Sequence, residues 1–307
     1  MKGRVIEGMN SFIRPLEGNN TLWRYFFSFL VMVGLFFFGS IVYVFMMLLT
    51  ALLSPNIAFD VDTGMLTDSL ADLFLTHIVY VFAIPGVWLA VRFILKRPFR
   101  SVITPHAKIS WRSIFFGFIA YFLLMAVVQG IDYAIHPAKY TFQDFDASRF
   151  LWLLVASLLL VPLQTSAEEL FFRGFLLQAF GKVIKNPFIL TLIVGGLFGA
   201  VHFGNPEMNN GAFWAGIEYV TIGILLTYYT VKTGSLEISL GVHAANNMFL
   251  CLFITEKNSV YGDIPSLFAI TRGNPMWETF FTVVINLLFA FIVVQYHKRS
   301  KRKQQGV

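Results

Sequence analysis

Charge is what this sequence has least of. Only 13% of its 307 residues are Asp, Glu, Lys or Arg, about half the share usual in a soluble domain. Cysteine is nearly absent as well. The single Cys251 excludes an internal disulfide and a cysteine-built metal centre. It lies in an apolar run and reads as a small packed hydrophobe. No low-complexity tract, soluble domain or internal repeat is visible, and the missing repeat argues against a transporter built from duplicated halves. What is abundant is apolar: 57% hydrophobic residues and 35 phenylalanines, with a mean hydropathy of +0.69. Most of such a surface must face lipid. The net charge of +6 does not point to nucleic acid, because the basic residues gather at the ends of apolar runs and in the tail His297–Lys303.

A membrane-spanning helix needs about 20 largely apolar residues. Eight runs qualify: Tyr25–Leu53, Leu73–Leu95, Ile114–Ile135, Phe150–Phe180, Pro187–Phe203, Phe213–Val231, Ser235–Ile254 and Trp277–Tyr296. The first is too long for a signal-peptide core and lacks a small-residue cleavage site, so it is read as retained. The fourth carries charge in its second half and is expected to bend or to be two joined helices. Basic residues set the orientation. Lys2, Arg4, Arg14 and Arg24 precede the first run, and Lys96, Arg97, Arg100, Lys108 and Arg112 fill the second connection. Lys182, Lys185 and Lys232 mark the fourth and sixth connections. The first connection holds Asp60, Asp62, Asp68 and Asp72 without Lys or Arg, and the fifth holds Glu207. Lys139, Arg149, Lys257 and Arg272 are the exceptions. The expectation is an all-α polytopic bundle of about eight transmembrane helices, one domain over 1–307, with both termini cytoplasmic and a basic cytoplasmic tail over 297–307. The stretch Lys257–Pro275 is expected to be an exterior loop.

A charged side chain at bilayer depth costs several kcal/mol and marks a functional candidate. The fourth run contains Glu168, Glu169 and Arg173, the fifth ends in Phe198 and His202, and the seventh contains His243, Asn246 and Asn247. Residues four apart share a helix face, so Glu169 and Arg173 are neighbours able to neutralise each other, while Glu168 points about 100° away. Phe198 and His202 share a face, as do His243 and Asn247, with Asn246 close to it. Measured from the cytoplasmic helix ends, Glu168 and His202 lie roughly 20 Å in and His243 roughly 15 Å in. Other polar residues have plainer readings. His77 is expected to be a packed or interfacial histidine, Asp132 and His136 to meet water at an exterior end, and Gly195 and Gly199 to serve close helix packing. Glu218 is open between packing, proton relay and a functional part.

These three segments resemble the motifs of the CPBP family, the CAAX proteases and bacteriocin-processing enzymes also called the Abi family. Glu168, Glu169 and Arg173 match Glu-Glu-x-x-x-Arg; Phe198 and His202 match Phe-x-x-x-His; His243 and Asn247 match His-x-x-x-Asn. The resemblance covers a core over 151–252. It implies a multi-pass peptidase of the cell membrane whose partners are lipid and a peptide or protein substrate, lipidated or not. In that reading Glu168 and His202 bind and activate the attacking water, and His243 and Asn247 stabilise the oxyanion. Glu169, Arg173, Phe198 and Asn246 support them. No cofactor is expected. The alternative within enzymes is a zinc protease that uses Glu168, His202 and His243 as ligands. Outside enzymes the alternatives are a noncatalytic scaffold or regulator and a transporter with a Glu168–Glu218–His proton relay. Size and the lack of targeting signals point to a bacterial source.

Overall fold

In lipid every backbone polar group must be satisfied within its own segment, so apolar runs of this length become helices. The computed structural model describes residues 11–61, 64–256, 259–271 and 275–304. Lys2, Arg4, Asp62, Lys257, Arg272 and the side chains of Lys301, Arg302 and Lys303, which entered the charge pattern, lie outside the described residues. Six stretches are long and apolar enough to cross a membrane: Leu22–Leu53, Ser69–Ile94, Trp111–Ile135, Ala147–Gly181, Pro187–Gly204 and Pro275–Arg299. Large apolar side chains such as Phe37, Phe45, Leu159 and Phe291 stand exposed on them, a surface suited to lipid rather than water. The chain is a multi-pass membrane protein.

The elements run α1 Leu22–Leu53, β1 Phe59–Asp60, β2 Met65–Leu66, α2 Ser69–Thr76, α3 Ile78–Leu89, α4 Trp111–Ile135, β3 Tyr140–Phe142 and α5 Ala147–Glu169. They continue α6 Leu177–Gly181, α7 Pro187–Val201, α8 Ala212–Thr233, α9 Glu237–Phe253, β4 Ile254–Thr255, β5 Phe268–Ile270 and α10 Pro275–Gln304. The sixth and seventh apolar runs are thus helical, as α8 and α9, but neither is among the six. α9 has only 17 residues and carries the polar positions that face the interior.

Two features depart from the sequence expectation and one agrees with it. The second run is not one helix: it breaks at His77 between α2 and α3 and ends in a π-helical turn, Ala90–Ile94. The fourth run, expected to bend or to be two joined helices, is two α-helices, α5 and α6, joined by a π-helical stretch, Leu170–Leu176. The bundle is also not purely helical. β1 and β2 form a hairpin, and β3, β5 and β4 form a small sheet with β5 central, antiparallel to β3 and parallel to β4. Strands of two or three residues are too short for an alternating pattern to register in sequence.

α7 and α8 approach until their backbones touch. A Cβ on Gly195 would meet the Ile224 Cα at 2.4 Å, and one on Gly223 would meet the Gly195 carbonyl oxygen at 2.2 Å. Small residues are what make such an approach feasible.

The bundle has two chemically distinct ends. At one end Arg14 donates to the Gly181 carbonyl at 2.8 Å, Arg97 to Gln178 at 2.6 Å, and the Leu236 N–H to the Ile103 carbonyl at 2.7 Å. These bonds join the N-terminal segment to the second, fourth and sixth connections, the basic ones. At the other end Arg149 pairs with Asp68 at 2.9 Å, the Val260 N–H donates to Glu207 at 3.0 Å, and the β3–β5–β4 sheet ties 140–142 to 254–270. The first, third, fifth and seventh connections meet there.

Candidate active site

Each motif helix is pinned before it reaches the site. Asp146 caps α5 by accepting from the Ser148 and Arg149 N–H groups. Asn186 caps α7 in the same way, with Pro187 in the first helical position. Glu237 in the first turn of α9 accepts from the Ser110 N–H at 2.7 Å and from the Ser235 hydroxyl at 3.0 Å, fixing α9 against the start of α4.

The motif side chains then converge. One cavity of about 1330 Å³ is lined by Glu168, Phe198, His202, His243, Asn246 and Asn247 together. Glu168 accepts from the Tyr80 hydroxyl at 3.3 Å and the Gln164 amide at 3.2 Å, and its other oxygen lies 3.8 Å from His243 Nε2. His243 Nδ1 is 2.9 Å from Glu169. The same Glu169 oxygen accepts from Arg173 at 2.8 Å, and Arg173 also donates to Thr227 at 3.2 Å and to the Gly223 carbonyl at 2.9 Å. The expected Glu169–Arg173 pair is present, and the same carboxylate oxygen also meets His243. The imidazole of His243 lies between the two adjacent glutamates, bonded to Glu169 and facing Glu168.

His202 sits where α7 ends. A carbonyl oxygen can only accept, so Nδ1 carries a proton and donates it to the Phe198 carbonyl at 2.7 Å. In a neutral ring that tautomer makes Nε2 the acceptor. The ring stacks on Tyr219 with centroids 4.7 Å apart. Phe198 touches His202 and His243 at centroid distances of 4.5 and 5.6 Å and lies under the Arg173 guanidinium at 4.1 Å. Asn246 donates to the Asn247 side-chain oxygen at 3.0 Å.

Of the residues given plainer readings, His77, Asp132, His136 and Glu218 also line this cavity. His77 is packed, as expected, with Nδ1 donating to the Leu73 carbonyl at 2.6 Å. Asp132 is not simply a water-facing carboxylate: it bonds His136 at 3.0 Å, Lys139 at 3.2 Å and the Tyr140 hydroxyl. Glu218 accepts from Thr279 at 2.9 Å. Cys251 is buried and accepts from the Ser157 hydroxyl. Sequence reasoning passed over Tyr80, Gln164 and Tyr219. Gln164 stands four residues before Glu168 and was legible from helical spacing; Tyr80 comes from another helix and left no signal.

Among the described residues no three His, Cys, Asp or Glu side chains are grouped to hold a metal ion. In the alternative zinc set of Glu168, His202 and His243, Nδ1 is the engaged nitrogen of each imidazole, which leaves each Nε2 and one Glu168 oxygen as the atoms a metal would use.

A model of the family described as Type II CAAX prenyl endopeptidase Rce1-like matches residues 147–249, from the start of α5 through the motif of α9. The chain belongs to the CAAX protease family. That membership covers the three motif segments and implies a peptidase. A curated relative of this CAAX-type chain is the Bacillus subtilis (strain 168) protein called Uncharacterized protein YyaK. It is 72% identical over 298 residues, which cover 97% of this chain and 100% of that protein. No solved structure matches the chain.

Proposed function

We propose that this chain is a metal-independent intramembrane endopeptidase of the bacterial cell membrane, crossing it eight times with both termini cytoplasmic. Its substrate is a peptide or protein segment, lipidated or not. The observation that carries the reading is the convergence of Glu168, His202, His243 and Asn247 on one cavity.

The attacking water is held between the Glu168 carboxylate and His202 Nε2. Glu168 takes a proton as the water oxygen bonds to the scissile carbonyl carbon, and returns it to the departing amine as the C–N bond breaks. His243 donates from Nε2 to the carbonyl oxygen as it gains charge. Its Nδ1–H donates to Glu169, and the protonated ring has a donor at each nitrogen. Asn247 supplies a second donor from its amide. Tyr80 and Gln164 orient the Glu168 carboxylate, and Arg173 balances the charge of Glu169 behind the site.

The test is cleavage of prenylated and unprenylated peptides by the detergent-purified protein and its Glu168→Ala variant, with and without chelator. Cleavage that survives chelation and disappears in the variant is expected. Loss to chelator with recovery on zinc would move the chain to the metalloproteases. Absence of cleavage in both proteins across the panel would favour a scaffold.

A further inference from the structure

The cavity has a direction and a sign. Its described lining residues come from the helix interiors and from the end where the first, third, fifth and seventh connections meet, including Met65, Lys139, Glu207, Val260 and Thr271. Among the described residues none comes from the basic connections at the opposite end. Asp132, Glu207, Glu218, Glu256 and Glu278 line the approach, and Lys139 is the one ammonium among the described lining residues. That ammonium is held between Asp132 at 3.2 Å and Glu278 at 3.1 Å, so it adds little positive field.

An unfilled acceptor adds a second, independent observation. His77 is 3% exposed and lines the cavity. Its Nδ1 donates to Leu73, and its Nε2 is buried without a hydrogen-bond partner. A buried acceptor left unpaired is costly, so His77 Nε2 calls for an occupant that brings an N–H donor. Carboxylates in a low-dielectric cleft concentrate cations and repel anions.

We propose that the cavity opens on the noncytoplasmic side and takes a positively charged peptide segment, rich in Lys or Arg, presented from that side. This rests on the endopeptidase reading for the fate of the bound segment but not for its binding. The basic end, by the positive-inside rule, is cytoplasmic, and the cavity opens away from it.

Binding and sidedness are tested separately from turnover. Fluorescent peptides of one sequence, flanked by Lys, Gln or Glu, are titrated against full-length Glu168→Ala protein, which leaves them intact. The Lys peptide is expected to bind about tenfold or more tighter than the Glu peptide at low salt, with the gap closing as salt rises. A Glu207→Gln/Glu256→Gln variant, which keeps an acceptor for the Val260 N–H, should narrow that gap. In the cleaving protein the same change should raise KM for the Lys peptide with kcat retained. Equal binding, or preference for the Glu peptide, would overturn the proposal. On intact cells, an impermeant maleimide should label Val260→Cys at the cavity mouth and spare Val183→Cys at the basic end. These positions are 42% and 65% exposed, and the native Cys251 is fully buried. The reverse labelling would overturn the proposed side. Charge-ordered binding without cleavage of any peptide would keep this inference and sink the endopeptidase reading; cleavage without charge order would do the opposite.

Discussion

Glu169 and Arg173 are both fully buried, and each is stable there only because the other is present. The Arg173 guanidinium uses its donors on Glu169, Thr227 and the Gly223 carbonyl, so it also joins the π-helical turn to α8. Removing one partner strands a charge, at a cost of about 3–5 kcal/mol. Glu169→Ala and Arg173→Ala are therefore expected to unfold at markedly lower temperature in detergent, which thermal scanning will show. Glu168→Ala differs in kind. Glu168 faces the cavity, so its loss should leave the melting temperature nearly unchanged while cleavage falls by about 10²–10⁴-fold, the contribution of a general base. A melting loss for Glu168→Ala as large as that for Arg173→Ala would make Glu168 a structural residue.

At the scale of elements, site geometry depends on how closely α7 lies on α8. Gly195→Leu would drive a side chain into the Ile224 backbone. Overpacking costs about 1–3 kcal/mol, and the displaced end of α7 carries His202. The expected result is a destabilised protein whose residual kcat falls more than its folded fraction; retention of full kcat would separate His202 from this packing. A second element-level contact holds α2 to α5. Asp68 caps α2 and pairs with Arg149 at 2.9 Å, and the guanidinium holds its carboxyl below the usual carboxylate range. A folded-state pKa that is depressed contributes stability above the unfolded value and loses it as pH falls through the folded one. Asp68→Asn, which keeps the cap, should therefore cost up to about 1 kcal/mol at neutral pH. The difference from wild type should vanish on acidification below the ordinary carboxylate range, as melting curves across pH will show. An unchanged difference at low pH would mean the ion pair is not its source.

At the scale of the whole molecule, the proposed eight crossings put both termini on the cytoplasmic side. A periplasmic-type reporter such as alkaline phosphatase, fused after residue 307, should be inactive, and one fused within the connection that carries Glu207 should be active. With the N-terminus cytoplasmic, an active C-terminal fusion would require an odd number of crossings. In that case α8 or α9, the two helices outside the group long and apolar enough to cross, would be the first to reassign.

Composition by itself determined that the chain lives in lipid, because 13% charge cannot clothe a soluble surface of this size. Spacing determined that Glu169 meets Arg173 and that Phe198 meets His202, since residues four apart on a helix are neighbours wherever that helix is packed. The motifs, by resemblance, pointed to the family. Tertiary structure alone decided what crosses between helices. It brought three separate segments to one cavity, set His243 between two adjacent glutamates, and gave Glu168 a hydroxyl donor from Tyr80, 88 residues away in sequence. It also turned Asp132 into a cavity wall and made strands of segments too short to show a period. The physical reason is common to all of these. A helix fixes its own neighbours through local geometry, whereas the contacts between helices depend on where backbones can approach, and here that was set by Gly195 and Gly223.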